Sequence, residues 1–420
     1  MKRLHLLSIS TVFMLASCAR FSEPPTEGLL PTIAPSLNDV EEPDSPSLQD
    51  AIRDQIHPSP IAEKATSMNP DTLPPSVPAL DSIPLNQLAQ RLSGQGDLSD
   101  YSHLPLENRL AFQKAAKEGW AGLAQRTLIP LRAWQTTLQP LPAQRIFYPF
   151  GGPDITFVTQ LFPEATEYIL VGLETPGTRL SALRMFESLE RLELLQESMR
   201  TFYRKGYFVT HDMAQQLSSK KAVGVAPLIL AQLAHLGYKV ISLNKLEKTE
   251  KFKGKQGLRG LKISFETPEG TAKTLFYVQC RLDNDNKETR QELCSFIQEA
   301  PFITALKSAS YALHNGRVFS QLRQFLLNSS TAILQDDSGI PYKFLKRTFS
   351  VRLFGSYNKP TLAVFEENYQ PKLQEDYSVK AEPLPFCLGY GCTQLPSNLF
   401  WATRPVSNET PSAEEEAQTP

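Results

Sequence analysis

From Leu85 onward, apolar side chains recur every third or fourth position, first through Leu85, Leu88, Ala89 and Leu92 and then across residues 106–123. That spacing matches the 3.6-residue turn, so the folded body is expected to open with amphipathic helices. Pro130 and Pro142 interrupt this period, and beyond them the apolar runs shorten. Residues 145–150 are a brief apolar run, Gly151-Gly152-Pro153-Asp154 breaks it, residues 155–162 suit a helix, and residues 168–173 read as a second buried strand. Strand, Gly-rich turn, helix and strand in that order mark a parallel α/β unit.

The alternation continues downstream. Residues 180–203 predict one long helix, with Leu183, Phe186, Leu189, Leu192 and Leu195 on a broad apolar face, and residues 206–210 a short strand. A helix over 227–236 stops at Gly237 and gives way to a strand over 238–243. Residues 261–266 and 271–279 alternate about Thr267-Pro268-Glu269-Gly270, the pattern of a β-hairpin. Helices are expected over 302–313 and 318–327, divided at Asn315-Gly316. A strand over 331–335 and late antiparallel strands over 348–354 and 361–365 complete the reading. The expected fold class is α/β: a single Rossmann-like three-layer domain with a mainly parallel mixed sheet, a helical N-terminal preface and an appended β-hairpin. No internal repeat is visible.

Composition limits that body to residues 85–406. Residues 19–84 hold 13 of the 33 prolines, with few aromatics, and read as a disordered tether, because sparse apolar surface cannot offset ordering entropy. Such a segment reaches about 45 Å as a flexible coil and about 200 Å fully extended. The net charge of −1 conceals a segregation: residues 19–84 carry 3 Lys/Arg against 11 Asp/Glu, and residues 407–420, an expected disordered tail, add four glutamates. Residues 85–406 carry 38 Lys/Arg against 29 Asp/Glu, a balance of +9, densest between Lys245 and Lys262. A basic body between acidic flanks suits contact with an anionic envelope polymer or lipid head group.

Leu15-Ala16-Ser17-Cys18 ends a segment that opens with a positive Lys2-Arg3 and runs through thirteen apolar-rich residues from Leu4 to Ala16. As a helix that run rises about 20 Å, too short for a bilayer core of about 30 Å. The segment resembles the lipobox signal peptide of bacterial lipoproteins. That resemblance implies removal of residues 1–17, a diacylglycerol on the thiol of Cys18, and a membrane partner reached through the lipidated N-terminus of the 18–84 tether. Ala19 after the cysteine implies outer-membrane sorting, facing the periplasm, rather than inner-membrane retention. Nucleic acid is not expected there. An extracytoplasmic setting permits disulfides, and Cys387 and Cys392, separated by a loop containing Gly389 and Gly391, are the best local pair. No metal site is expected, since none of the histidines lies near that pair in sequence.

Ligands of open α/β sheets bind beyond the carboxyl ends of strands, so the residues just past each expected strand are the candidates. Asp154, Glu174, His211 and Asp337 occupy such positions and could converge as catalytic carboxylates with a histidine; equally, they suit helix caps and turns. Gly151 to Asp154, with Glu174 after the next strand, resembles the opening of Rossmann-like folds, including class I S-adenosylmethionine methyltransferases. Pro153 and the missing G-x-G-x-x-G spacing depart from that pattern, and no cofactor is expected. Residues 148–154 and 334–342 are similar to stretches of uncharacterised bacterial envelope lipoproteins, which implies no activity. Two functions stay open: a non-enzymatic body that binds an envelope component, and an extracytoplasmic hydrolase using the rim carboxylates and His211. Replacing Cys18 by Ser is expected to abolish fatty-acid labelling of the protein in cells, and labelling that survives would contradict the anchor.

Overall fold

The structure is a computed structural model, and it describes residues 83–138, 144–208, 224–246, 258–308, 310–360, 363–392 and 397–405. Cys18 and the tether, His211, and most of the basic stretch between Lys245 and Lys262 lie outside the described residues. Helices α1 (Leu85–Leu92), α2 (Leu106–Leu123) and α3 (Ile129–Gln135) form the expected preface. Strand β1 (Arg145–Tyr148), helix α4 (Ile155–Leu161) and strand β2 (Glu167–Gly172) come next as the parallel unit.

The expected long helix is two helices. Thr178 and Ser181 form a capping box that starts α5 (Arg179–Leu183). After one 3-10 turn, the Ser188 hydroxyl accepts from Arg191 N–H to start α6 (Leu189–Lys205). A serine that satisfies an orphan amide at a helix start outweighs apolar periodicity running past it. Gly206, with φ +72°, terminates α6, so residues 206–208 are a bend and not the expected strand. Helix α7 (Ala226–His235) leads to strand β3 (Lys239–Lys245).

Strands β4 (Arg259–Glu266) and β5 (Ala272–Gln279) do form a hairpin, but it is not an appendage. β5 pairs in parallel with β2 from Glu167↔Thr274 to Gly172↔Gln279, which makes it a full member of the sheet, while β4 and β3 continue antiparallel to the edge. Helix α8 (Lys287–Ile297) precedes strand β6 (Phe302–Leu306), which replaces the expected helix over 302–313. All five β6 residues are buried, and a strand covered on both faces reads as a continuous apolar run that periodicity cannot separate from a buried helix. Helix α9 (Ser320–Ser329), strand β7 (Ala332–Gln335), the short α10 (Tyr342–Leu345), strand β8 (Ser350–Gly355), α11 (Pro371–Lys380) and strand β9 (Asn398–Thr403) complete the chain order. Residues 363–368 are a 3-10 turn, so the strand expected over 361–365 does not form there.

Among the described residues, nine strands run in the order β3-β4-β5-β2-β1-β6-β7-β9-β8. The five central strands are parallel, and β9 inserts antiparallel between β7 and β8. Successive side chains of a strand point to opposite faces. Ile146, Tyr148, Tyr168 and Leu170 accordingly pack with the helices α1 to α7, while Phe147, Ile169 and Val171 pack with α8 to α11. Chain order reverses direction at β1: β2 and β5 build to one side, β6 and β7 to the other. The crevice between the carboxyl ends of β1 and β6 is therefore where this sheet has room for a ligand.

Candidate functional site at the carboxyl ends of the central strands

Two features make the β1/β6 junction unusual. Among the described residues, only Phe150, just past β1, and Ser308, just past β6, are non-glycine residues with positive φ, at 64° and 56°. A bulky residue in the left-handed region persists where surrounding contacts over-determine it. Beside them a lysine and an aspartate are both almost fully buried.

Asp154 caps α4, its side chain accepting from Phe157 N–H at 3.3 Å. The same carboxylate lies 2.5 Å from Lys307 Nζ and accepts from the Tyr148 hydroxyl at 3.2 Å. Lys307 comes directly after β6. Its ammonium also donates to the Gly206 carbonyl at 2.7 Å and stands 3.5 Å above the Phe157 ring. Burial lowers the affinity of Lys307 for its proton, and Asp154 and then Asp336 oppose that effect. Lys307 thereby ties the β1 turn, the end of α6 and the end of β6 to one charge.

Beyond β7 come two buried carboxylates in succession. Asp336 accepts from Ser308 N–H at 2.8 Å, from Ser338 N–H at 3.0 Å and from the Ser338 hydroxyl. Asp337 accepts from the Tyr311 hydroxyl and from the Asn398 amide at 2.9 Å, while its own N–H donates to Asn398 Oδ1 at 2.7 Å. Burial, then the neighbouring Asp336 charge, push the Asp337 carboxyl up to about 7. Asp154 and Asp337 thus share one buried polar cluster through Lys307 and Asp336.

That cluster is roofed by the chain itself. Cys387 and Cys392 are joined, with Cα atoms 4.8 Å apart, and the turn they close lays Gly389 against the junction. A Cβ on Gly389, where φ is +52°, would fall 2.2 Å from Ser308 Oγ and 3.2 Å from Asp336 Oδ2. Backbone approach that close admits only glycine. The space left under the roof, lined by Tyr148, Phe157, Lys307 and Leu388 among others, is about 10 Å³. That is about the room one water needs.

Glu174 is elsewhere. Its carboxylate turns back to accept from Leu173 N–H at 3.1 Å and from the Tyr277 hydroxyl of β5 at 3.2 Å. Gly152 N–H is likewise used, donating to Val171 O at 3.0 Å. The positions that a methyltransferase-like reading would give to a nucleotide therefore serve internal bonds, and these residues do not fit that cofactor. The carbonyl of Pro153, the residue that breaks the motif, accepts from Gln232 of α7 at 2.8 Å. Sequence reasoning places Asp336 past the 331–335 strand beside Asp337 but misses Lys307 and Tyr148; Lys307 is hidden because residues 302–313 read as one helix. Among the described residues, no group of three or more His, Cys, Asp or Glu is arranged to hold a metal ion.

No protein-family model matches the chain, and no curated protein and no solved structure matches it significantly.

Because the folded Asp337 carboxyl titrates near 7 and not at the ordinary 3.8, the fold holds its proton more tightly than the unfolded chain does. The resulting stability is full below about pH 4 and is lost as pH rises through about 7. Urea unfolding between pH 5 and pH 8 should therefore show the wild type losing stability relative to Asp337→Asn. A difference between the two that does not change with pH would contradict the assignment.

Proposed function

We propose that this chain is a lipid-anchored protein of the bacterial cell envelope, held at the outer membrane facing the periplasm, whose basic α/β body binds an anionic envelope component. The observation that carries this reading is a row of exposed cations along one edge of the sheet, while the rim carboxylates are engaged inside the fold. The rim carboxylates Asp154, Glu174 and Asp337 are buried and answered by the chain's own donors. The cations of the β3–β4 edge, Lys239, Lys245, Arg259 and Lys262, are exposed. A body with a sequence balance of +9 and these cations exposed along one sheet edge presents positive charge there to its surroundings. The order β5-β2-β1-β6-β7, with helices on both faces, supports a Rossmann-like, doubly wound description of the body, since it matches the 3-2-1-4-5 order of that class. Among the described residues, no helix is long and apolar enough to cross a membrane.

One observation favours the hydrolase alternative: a carboxyl raised to about 7 has the proton affinity of a general acid. That chemistry requires the Gly389 roof to leave the junction. Both readings meet in one experiment, in which the full chain is mixed with protein-free envelope fragments. Binding should occur at low salt and fall away between 0.1 M and 1 M, where the screening length shrinks from about 10 Å to about 3 Å. Salt-independent binding, or none, contradicts the binding body. Release of soluble fragments by the wild type, absent in Asp337→Asn, establishes the hydrolase instead.

A further inference from the structure

A second cavity lies past β7, between the turn after β6, helix α10 and the start of α11, and it is open where the strand junction is closed. Its volume is about 510 Å³, within the range of about 300–1,000 Å³ common for small-molecule sites. Three cations line it, Arg323, Lys343 and Lys372, against a single carboxylate, Glu367. Lys372 is shared with Glu375 at 2.7 Å. Among the described residues, Arg323 and Lys343 make no ion pair. Instead both stand against the Phe344 ring, at 4.4 Å and 5.2 Å from its centre, with Arg347 at 5.9 Å.

The guanidinium of Arg323 is held ready for a planar or tetrahedral anion. Its Nη1 donates to the Leu313 carbonyl at 2.8 Å, which fixes the plane of the fork. Nη2 points toward Gly316, at 3.7 Å from where a Cβ would stand, and no side chain there covers it. Partial burial lowers the proton affinity of Arg323, so this is a cation short of solvent as well as of a counter-ion. Behind the same wall, Asn368 Nδ2 is sealed from solvent without a hydrogen-bond partner among the described residues. Buried polar atoms are almost always answered, and one unanswered in this wall marks a place where the fold gives up stability.

We infer that this cavity binds a phosphate group carried on a larger body, a sugar phosphate or the phosphodiester head of an anionic lipid, with Arg323 and Lys343 on the phosphoryl oxygens. The inference rests on the proposed binding of an anionic envelope component and adds to the cationic β3–β4 edge a pocket for a phosphate group of that component. Arginine presents two parallel N–H groups to a phosphate, and lysine adds a mobile point charge. The cavity exceeds what a bare phosphate fills, and Tyr369, 40% exposed on its wall, offers a ring face to the carrier.

The test uses the full chain and two probes, glucose 1-phosphate by calorimetry and phosphatidylglycerol in phosphatidylcholine vesicles by flotation. At least one should bind, and Arg323→Gln combined with Lys343→Gln should weaken it tenfold or more. Lys114→Gln with Lys117→Gln, exposed on α2, should leave glucose 1-phosphate binding unchanged. Lys343 is exposed, so Lys343→Gln alone tests the site without disturbing the fold and should weaken binding severalfold. A double variant with unaltered melting temperature and unaltered affinity overturns the site. A wild type that binds envelope fragments but neither probe overturns the phosphate assignment and leaves the broader reading standing. Failure to bind fragments or probes overturns both.

Discussion

A buried ammonium is costly unless its charge is answered where it sits, and the centre of this protein is organised around answering one. Removing an ion from water carries an effective penalty of several kcal/mol even after relaxation. Lys307 meets it with a carboxylate at 2.5 Å, a carbonyl at 2.7 Å and an aromatic face at 3.5 Å, contributed by the turn after β1, the end of α6 and α4. The β1 turn with α4, the end of α6 and Lys307 itself are far apart in sequence and meet where chain order reverses at β1. The charge therefore pins the topology at the point where the sheet would otherwise be open. The strained backbones of Phe150 and Ser308 flank the same point, and the disulfide-closed turn covers it.

This arrangement explains why the rim carboxylates among the described residues are engaged within the fold. Asp154 serves as a helix cap and a counter-ion at once, Glu174 closes its own turn, and Asp337 is clasped by Asn398 from β9 and Tyr311. Polar residues collect after parallel strands because ligands are met there, but also because helix starts and sheet crevices need satisfied donors and charges. Here the second demand accounts for every rim carboxylate seen. Recognition passes to the open cavity beside α10, whose cations Arg323 and Lys343 have no ion-pair partner among the described residues.

Much of the architecture is legible in the pattern of apolar positions, and its failures have physical causes. The parallel unit from Arg145 to Gly172 can be read because a Gly-rich break separates its strand from its helix. β6 cannot, because a strand buried on both faces loses the period of two, and with it goes the position of Lys307. The split of the long helix at Ser188 is readable in principle from its cap. The role of β9 is not, since Asn398 matters through a partner 61 positions away and its strand inserts out of chain order. Arg323 and Lys343 likewise meet at the Phe344 ring only in three dimensions.

A double-substitution cycle on the buried pair tests the central claim most directly. Asn caps a helix about as well as Asp, so Asp154→Asn removes the charge while keeping the cap of α4. Lys307→Met alone strands a buried carboxylate and should cost about 3–5 kcal/mol in urea unfolding, whereas the Asp154→Asn/Lys307→Met double should recover most of that loss. A cost below about 1 kcal/mol for Lys307→Met, or a double variant as unstable as the two singles summed, would show that the junction does not depend on this charge pair.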